Sequence, residues 1–392
     1  MKQKNNFFRR FLLLVCGLWI ISATQADNVH DISYYDSVEV SLLTCSPHEE
    51  IYSLYGHSAL RWHDQHTEGQ DAGADIVFNW GLFNFNKPYF VLRFVFGLTD
   101  YELGTLPFNI FCEYYRKWGS SVTEQVLNLT NAEKASLQAA IAENLKPENR
   151  IYRYNYFYDN CSTRPRNIVE QSINGKVKYT QNDDVMKSYR EASSFCTRNH
   201  PWATFGNDMR LGVRADFQTT MREQEFLPAN LMYDFDRAQI YTDGTYRPLV
   251  KERRTAVMPG VQVIEQDFPL SPMARACILL VITLLASLLE WKTGKRLIWL
   301  DVLLMLMQGL AGCILFAMLF SQHPTTSTNL QILLLNPIPL FFIPAVIRQK
   351  DRRWRKIQFL MVVLFCLGAL FQHYAEGMLI VALSLLIRTY RK

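Results

Sequence analysis

The feature that most constrains this chain is its C-terminal third. From Ala274 onward, apolar stretches fall at about 274–290, 297–320, 330–347, 357–374 and 375–388. The hydrocarbon core of a bilayer asks for about 20 apolar residues per helical crossing, so the first and last are short, and about five crossings are expected. The connecting loops support this reading. Those holding "KTGKR", "RQKDRRWRK" and the tail "RTYRK" are basic, while "SQHPTTSTN" and "QHYAEG" hold no Lys or Arg. Basic and neutral loops therefore alternate, and the positive-inside rule puts residues 27–273 on the outer side. The N-terminus agrees: Lys2, Lys4, Arg9 and Arg10 precede the apolar run Phe11 to Ile21, and "SATQA" ends in a cleavage-like Ala26. Residues 1–26 read as a secretory signal peptide.

The net charge of +5 is unevenly spread. The first 26 residues hold four basic residues and no acid, and residues 274–392 hold thirteen basic against four acidic, which leaves the exported part with about eight negative charges. A domain so acidic does not suit nucleic acid. Of eight cysteines, Cys16 lies in the signal and Cys277, Cys313 and Cys366 in the spans. Only Cys45, Cys112, Cys161 and Cys196 remain outside, with no C-x-x-C pair to suggest a zinc ribbon or a redox site.

Within the exported part, residues 27–258, strands are expected at 36–44, 56–64 and 75–81. Thr130 and Glu133 form a capping box for a helix ending at Leu145 before Pro147, with Leu137, Ile141 and Leu145 on one face. An aromatic strand "IYRYNYFYD" then leads to a helix opened by Cys161 and Ser162, with Pro165 in its first turn and Ile168, Val169 and Ile173 facing inward. Residues 259–273 read as a linker into the membrane part. The exported domain is mixed α and β.

Cys161 is the residue with chemistry to explain. At a helix start it meets free backbone N–H groups and the positive end of the helix dipole, both of which favour thiolate. A nucleophile also needs a base, and His57, at the start of a strand in "YGHSALRW", offers one. The group that orients His57 is Asn79 in "VFNWG", with Asp159 as the alternative. Tyr55, Asp159, Asn160, Ser162 and Arg164 flank the two reactive groups as candidate supporting or substrate-binding residues. The structural alternative is that Cys161 is packing material.

The segments "LLTCSPHEEIYSLYGHSALRWHD", "FNWGLFNF", "YNYFYDNCSTRPRNIVE" and "SQHPTTSTNLQILLLNP" carry a resemblance. In their order they are similar to a bacterial envelope family whose members resemble lipoprotein N-acyltransferases of the Lnb type, over most of the chain from Ser41 onward. The exported domain also resembles the circularly permuted NlpC/P60 branch of papain-like proteins, in which His precedes Cys. The resemblance implies an α+β fold, with a permuted papain-like domain followed by a membrane domain of about five transmembrane helices. It also implies Cys161 as nucleophile and His57 as base, and needs no cofactor and no metal. The implied substrates are a phospholipid acyl donor and a diacylated lipoprotein acceptor, with backbone N–H groups at the helix start stabilising the oxyanion. The implied location is the bacterial inner membrane, with the catalytic domain on the periplasmic side. His48 stands where the family pattern has a glycine. Two other classes remain: an envelope cysteine peptidase or amidase using the same pair, and a non-enzymatic assembly or sensor protein.

Further residues attract functional readings beside ordinary ones. His323, Asn329, His373 and Glu376 fall at the outer ends of spans and offer a head-group or amine site, or are interfacial residues. Asn336, Pro337 and Pro339 would interrupt the third span. The run "PYFVLRFVFG" reads as core or as a segment dipping into the outer leaflet. His63, Asp64 and His66 lack a closing metal ligand. Arg164 and Arg166 read as phosphate holders or surface residues.

Overall fold

The computed structural model describes residues 32–48, 50–66, 73–83, 88–181, 188–261 and 268–389. The signal-peptide segment and part of the linker lie outside them.

The sheet domain is built on seven antiparallel strands in the order β10-β5-β1-β2-β3-β4-β6. They are β1 (Val38–Cys45), β2 (His57–Asp64), β3 (Asp75–Leu82), β4 (Asp100–Pro107), β5 (Val122–Leu127), β6 (Ile151–Arg153) and β10 (Val250–Val257). A side sheet holds β7 (Lys176–Lys178), β8 (Gln239–Thr242) and β9 (Thr245–Pro248). Nearly every residue of β1 is buried, so it lacks the alternation of a half-exposed strand: both faces of the sheet are covered. Val38, Val40, Leu42 and Leu60 share one core with Leu137, Ile141, Ile168, Val169, Leu231 and Phe235. Leu43, Cys45, Ala59 and Val77 face the other way, onto Phe111, Cys112 and Tyr115.

The helices are α1 (Phe90–Val95), α2 (Phe108–Lys117), α3 (Asn131–Leu145), α4 (Thr163–Ser172), α5 (Tyr189–Thr197), α6 (Pro201–Arg210), α7 (Met221–Gln224) and α8 (Pro228–Arg237). The capping box forms at α3 as the sequence reads: Glu133 N–H donates to Thr130 Oγ1 and Thr130 N–H to the Glu133 carboxylate. The aromatic strand is much shorter than expected. It stops at Arg153, because Asn155 Oδ1 accepts from the Phe157 and Tyr158 N–H groups and closes a turn, a local bond that competes with sheet pairing.

The membrane part contains α9 (Pro272–Thr293), α10 (Ile298–Met318), α11 (Ile338–Ile347), α12 (Arg352–Gly368) and α13 (Met378–Thr389). Among the described residues, three segments are long and apolar enough to cross a membrane: Pro272–Thr293, Ile298–Met318 and Leu330–Ile347. The last is broken after a 3-10 turn at Leu330–Leu333, where Asn336 and Pro337 interrupt it. The expected fourth and fifth stretches are cut short. The segment between them leaves the helices to bond the sheet domain: Gln372 Nε2 donates to the Leu211 carbonyl (3.1 Å) and His373 N–H to Asp216 (3.3 Å). The outer loop 321–329 is fixed in the same way. Gly212 N–H donates to Thr325 O (2.7 Å) and Val213 N–H to Thr328 O (2.8 Å), and Phe205 and Met209 pack onto the membrane helices' core.

Candidate active site

The site forms where β1, β2 and β3 end beside the start of α4. Cys45 and His57 are the last partners in the β1–β2 register, and Asn79 lies on the neighbouring strand β3. His57 Nε2–H donates to Asn79 Oδ1 at 2.6 Å, which leaves Nδ1 as the nitrogen for Cys161. The His57 ring and the Cys161 thiol are hydrogen-bonded.

Two local devices place Cys161. The first is Asn160, which is buried. Its Oδ1 accepts from the Ser162 (2.9 Å) and Thr163 (3.0 Å) N–H groups, and its Nδ2 donates to the carbonyls of Tyr156 (3.0 Å) and Phe226 (2.8 Å). Asn160 therefore fills the capping role at this helix start, and Ser162, at the formal cap position, makes no side-chain cap. Ser162 Oγ instead meets Ser58 Oγ at 3.1 Å, tying the Cys161 turn to β2. The second device is Gly81. At φ +107 it sits in a bulge of β3, a conformation favoured only for glycine. A Cβ there would lie 3.7 Å from Cys161 Cβ and 3.9 Å from His57 Cε1.

The electrostatics follow from this geometry. Burial alone would raise the thiol's pKa. The charge and hydrogen bond of His57, the Ser58 backbone N–H and the Ser162 hydroxyl outweigh it, so the Cys161 pKa falls below its ordinary value. Burial would lower the His57 pKa, but the Cys161 thiolate and the Asn79 oxygen more than reverse this, and the pKa rises. Both shifts favour the thiolate–imidazolium pair. Cys45, Cys112 and Cys196 shift the opposite way, raised by burial.

The pair opens into a cavity of about 250 Å³ lined by Tyr55, Tyr101, Tyr154, Tyr156, Trp118 and Phe226, with His48 and Tyr52 on its far wall. Tyr55 keeps its place through Asn207, whose Nδ2 donates to the Tyr55 hydroxyl at 2.6 Å. His48 stacks on Trp118 (4.3 Å between centroids), and its Nδ1 is buried without a partner. Burial, with the nearby charge of His57, pulls its pKa down to about 4. Sequence reasoning placed His48 only as a departure from a pattern and missed the aromatic wall, which comes from strands and loops far apart in the chain.

Several candidates lie elsewhere. Asp159 does not orient His57: its carboxylate takes both Arg164 Nε (2.6 Å) and Nη2 (2.8 Å), and the Arg164 guanidinium lies over Tyr152. Neither residue lines the cavity. Arg166 is paired with Glu225 at 2.8 Å and is not available as a phosphate holder. Asn329 is structural, donating to the Met209 carbonyl (2.7 Å) and accepting from Gln372 (2.9 Å). His323 is buried against Gly97, away from Cys161. His66 bonds Asp64 and stacks on Tyr34. The expected oxyanion donors also change. Asn160 holds the Ser162 and Thr163 N–H groups, and the helix-start donor that no described partner takes is Cys161's own N–H.

Fold and site together define a membrane protein of α+β class, whose sheet-rich domain presents a cysteine paired with histidine in an aromatic cavity. Residues 25–194 match the family model of the Lnb N-terminal periplasmic domain, and residues 263–392 that of the Lnb transmembrane domain. The chain belongs to the Lnb family, and the sheet domain is its periplasmic part. No curated protein and no solved structure matches it.

Proposed function

We propose that this protein is a lipoprotein N-acyltransferase. The observation that supports it best is a thiol whose pKa is lowered by His57, set in an aromatic cavity of a domain bonded to membrane helices. The Cys161 thiolate attacks the carbonyl carbon of a phospholipid acyl ester, and Cys161's own N–H donates to the oxyanion. The ester C–O bond breaks, the departing lysophospholipid oxygen takes the proton from the His57 imidazolium, and an acyl-thioester remains. The α-amino nitrogen of a diacylglyceryl-cysteine lipoprotein then attacks the thioester. His57, now neutral, takes the proton from that nitrogen, the C–S bond breaks, and the products are an amide and the regenerated thiolate. Both substrates are lipids, which accounts for a papain-like domain fixed to spans in the inner membrane.

The test is intact mass of the full chain, wild type and Cys161→Ala, after incubation with phospholipid and before any amine is added. A fatty-acyl increment on wild type that hydroxylamine removes, absent from the variant, is expected. No increment on wild type refutes acyl transfer, and cleavage of soluble peptide without lipid would establish a peptidase in its place.

A further inference from the structure

The segment Tyr89–Leu98, containing α1, presents two large apolar side chains to solvent. Tyr89 is 79% and Leu92 55% exposed. With Pro88, Arg93, Phe96 and Leu98 they line an open, mostly apolar groove of about 400 Å³. Tyr89 also sits at φ +58, a left-handed conformation costing about 1 kcal/mol for a residue with a Cβ, and no burial of its ring offsets this. The charge in the segment is paired: Arg93, which also lines the groove, donates to Asp100 (3.1 Å) and to the Leu98 carbonyl (3.0 Å).

Where this segment lies identifies what covers it. Its C-terminal end is bonded to the outer end of α10. Gln322 N–H donates to the Phe96 carbonyl at 3.0 Å, and Arg153 reaches both the Gly97 carbonyl (3.5 Å) and Gln322 Oε1 (3.3 Å). Gly97 lies so close to the loop that a Cβ would meet His323 Cδ2 at 3.2 Å. The segment is thus tied to the outer end of a span, where Phe320 is 68% exposed; Leu370 and Phe371, just past α12, are 77% and 69% exposed. Three residues past Leu98 the chain reaches Tyr101, part of the Cys161 cavity wall.

We propose that Tyr89–Leu98 seats in the membrane leaflet facing the periplasmic domain and passes the donor lipid to the Cys161 cavity. The seating stands on geometry alone; the delivery rests on the acyl-transfer reading. An apolar face beside a half-exposed, paired cation suits the boundary between head groups and acyl chains.

The full chain is placed in phosphatidylethanolamine and phosphatidylglycerol vesicles, with a fluorescent amino acid at position 92, at position 285 on an exposed span face, or at position 243 in an exposed turn. Brominated acyl chains are expected to quench position 92 nearly as strongly as 285 and to spare 243. Quenching at 92 no greater than at 243 overturns the seating. In the second arm, Tyr89→Asp with Leu92→Asp is expected to slow acyl-adduct formation from vesicle phospholipid about tenfold or more, with Cys161 alkylation by iodoacetamide unchanged. Equal adduct rates overturn the delivery. A wild type that forms no adduct overturns the delivery together with acyl transfer, and the quenching result still decides the seating.

Discussion

Replacing Asn79 by alanine removes the acceptor at 2.6 Å from His57 Nε2, a bond that strengthens when the ring is charged. Hydrogen bonds to charged groups contribute about 1.5–3 kcal/mol, and 1.36 kcal/mol corresponds to one pKa unit. The imidazolium should therefore lose about one to two units of stabilisation. Because His57 charge is what lowers the Cys161 pKa, the thiol moves back up with it. The pair is ionised between its lower, thiol-governed step and its upper, imidazole-governed one, so the variant loses thiolate mainly at the acid side of that window. The assay is the rate of Cys161 alkylation by iodoacetamide against pH, followed by peptide mass. In Asn79→Ala the rate should fall about tenfold to a hundredfold near pH 6–7. It should converge on wild type near pH 9, where an ordinary thiol ionises without help. Asn79→Asp should restore the low-pH rate, since a carboxylate also holds the imidazolium. A pH profile identical to wild type would refute the role given to Asn79, and an equal loss at every pH would show that only packing was damaged.

Asn160→Ala strips a buried capping oxygen from two N–H groups and two donors from the Tyr156 and Phe226 carbonyls. It should cost about 2–4 kcal/mol, read as a lower Tm in detergent, and Cys161 alkylation at neutral pH should slow with it. For His48 the folded pKa of about 4 lies below the unfolded 6.5, so the unfolded chain binds the extra proton between those values and stability falls as pH drops through that window. His48→Phe keeps the ring on Trp118 and should remove up to about 3 kcal/mol of this acid lability, measured as Tm at pH 4.5 against pH 7.5. Gly312→Ala would put a Cβ 2.3 Å from the Asn336 backbone. It should cost about 2–3 kcal/mol through overpacking between α10 and the broken third segment, seen as a smaller peak of folded protein relative to aggregate in size-exclusion chromatography.

What could be read from the sequence depended on how local its cause was. The α3 capping box closes within four residues, and the helix after Cys161 is announced by its turn and its apolar face. Both are visible to short-range reasoning. His57 and Asn79 were legible for a related reason. Each lies in a strand-like run, and adjacent antiparallel strands put their ends together. The wall of the cavity was not legible, because its position is set across long separations. The loop carrying His48 is fixed by Ser120 Oγ donating to the Pro47 carbonyl and by the Trp118 ring, about seventy residues further on.

The membrane part makes the same point in reverse. Hydropathy measures the wish of a side chain to leave water, and it extended the fourth stretch to residue 374. Yet Gln372 and His373 are held by Leu211 and Asp216 of the periplasmic domain and by Asn329 of the neighbouring outer loop. A peptide group near the membrane surface that finds a protein partner need not stay in a helix to satisfy its hydrogen bonds. The early end of the fourth stretch thus falls where the periplasmic domain docks, whereas the break at Asn336 and Pro337 lies among the membrane helices themselves. The outer ends of the spans serve as a clasp, and His323 and Asn329, read from sequence either as a head-group or amine site or as interfacial residues, lie in its loop. A clasp made by Gly212, Asn329 and Gln372 ties the domain that carries the Cys161 cavity to the outer ends of the spans, which is the arrangement the proposed transfer between two lipids would need.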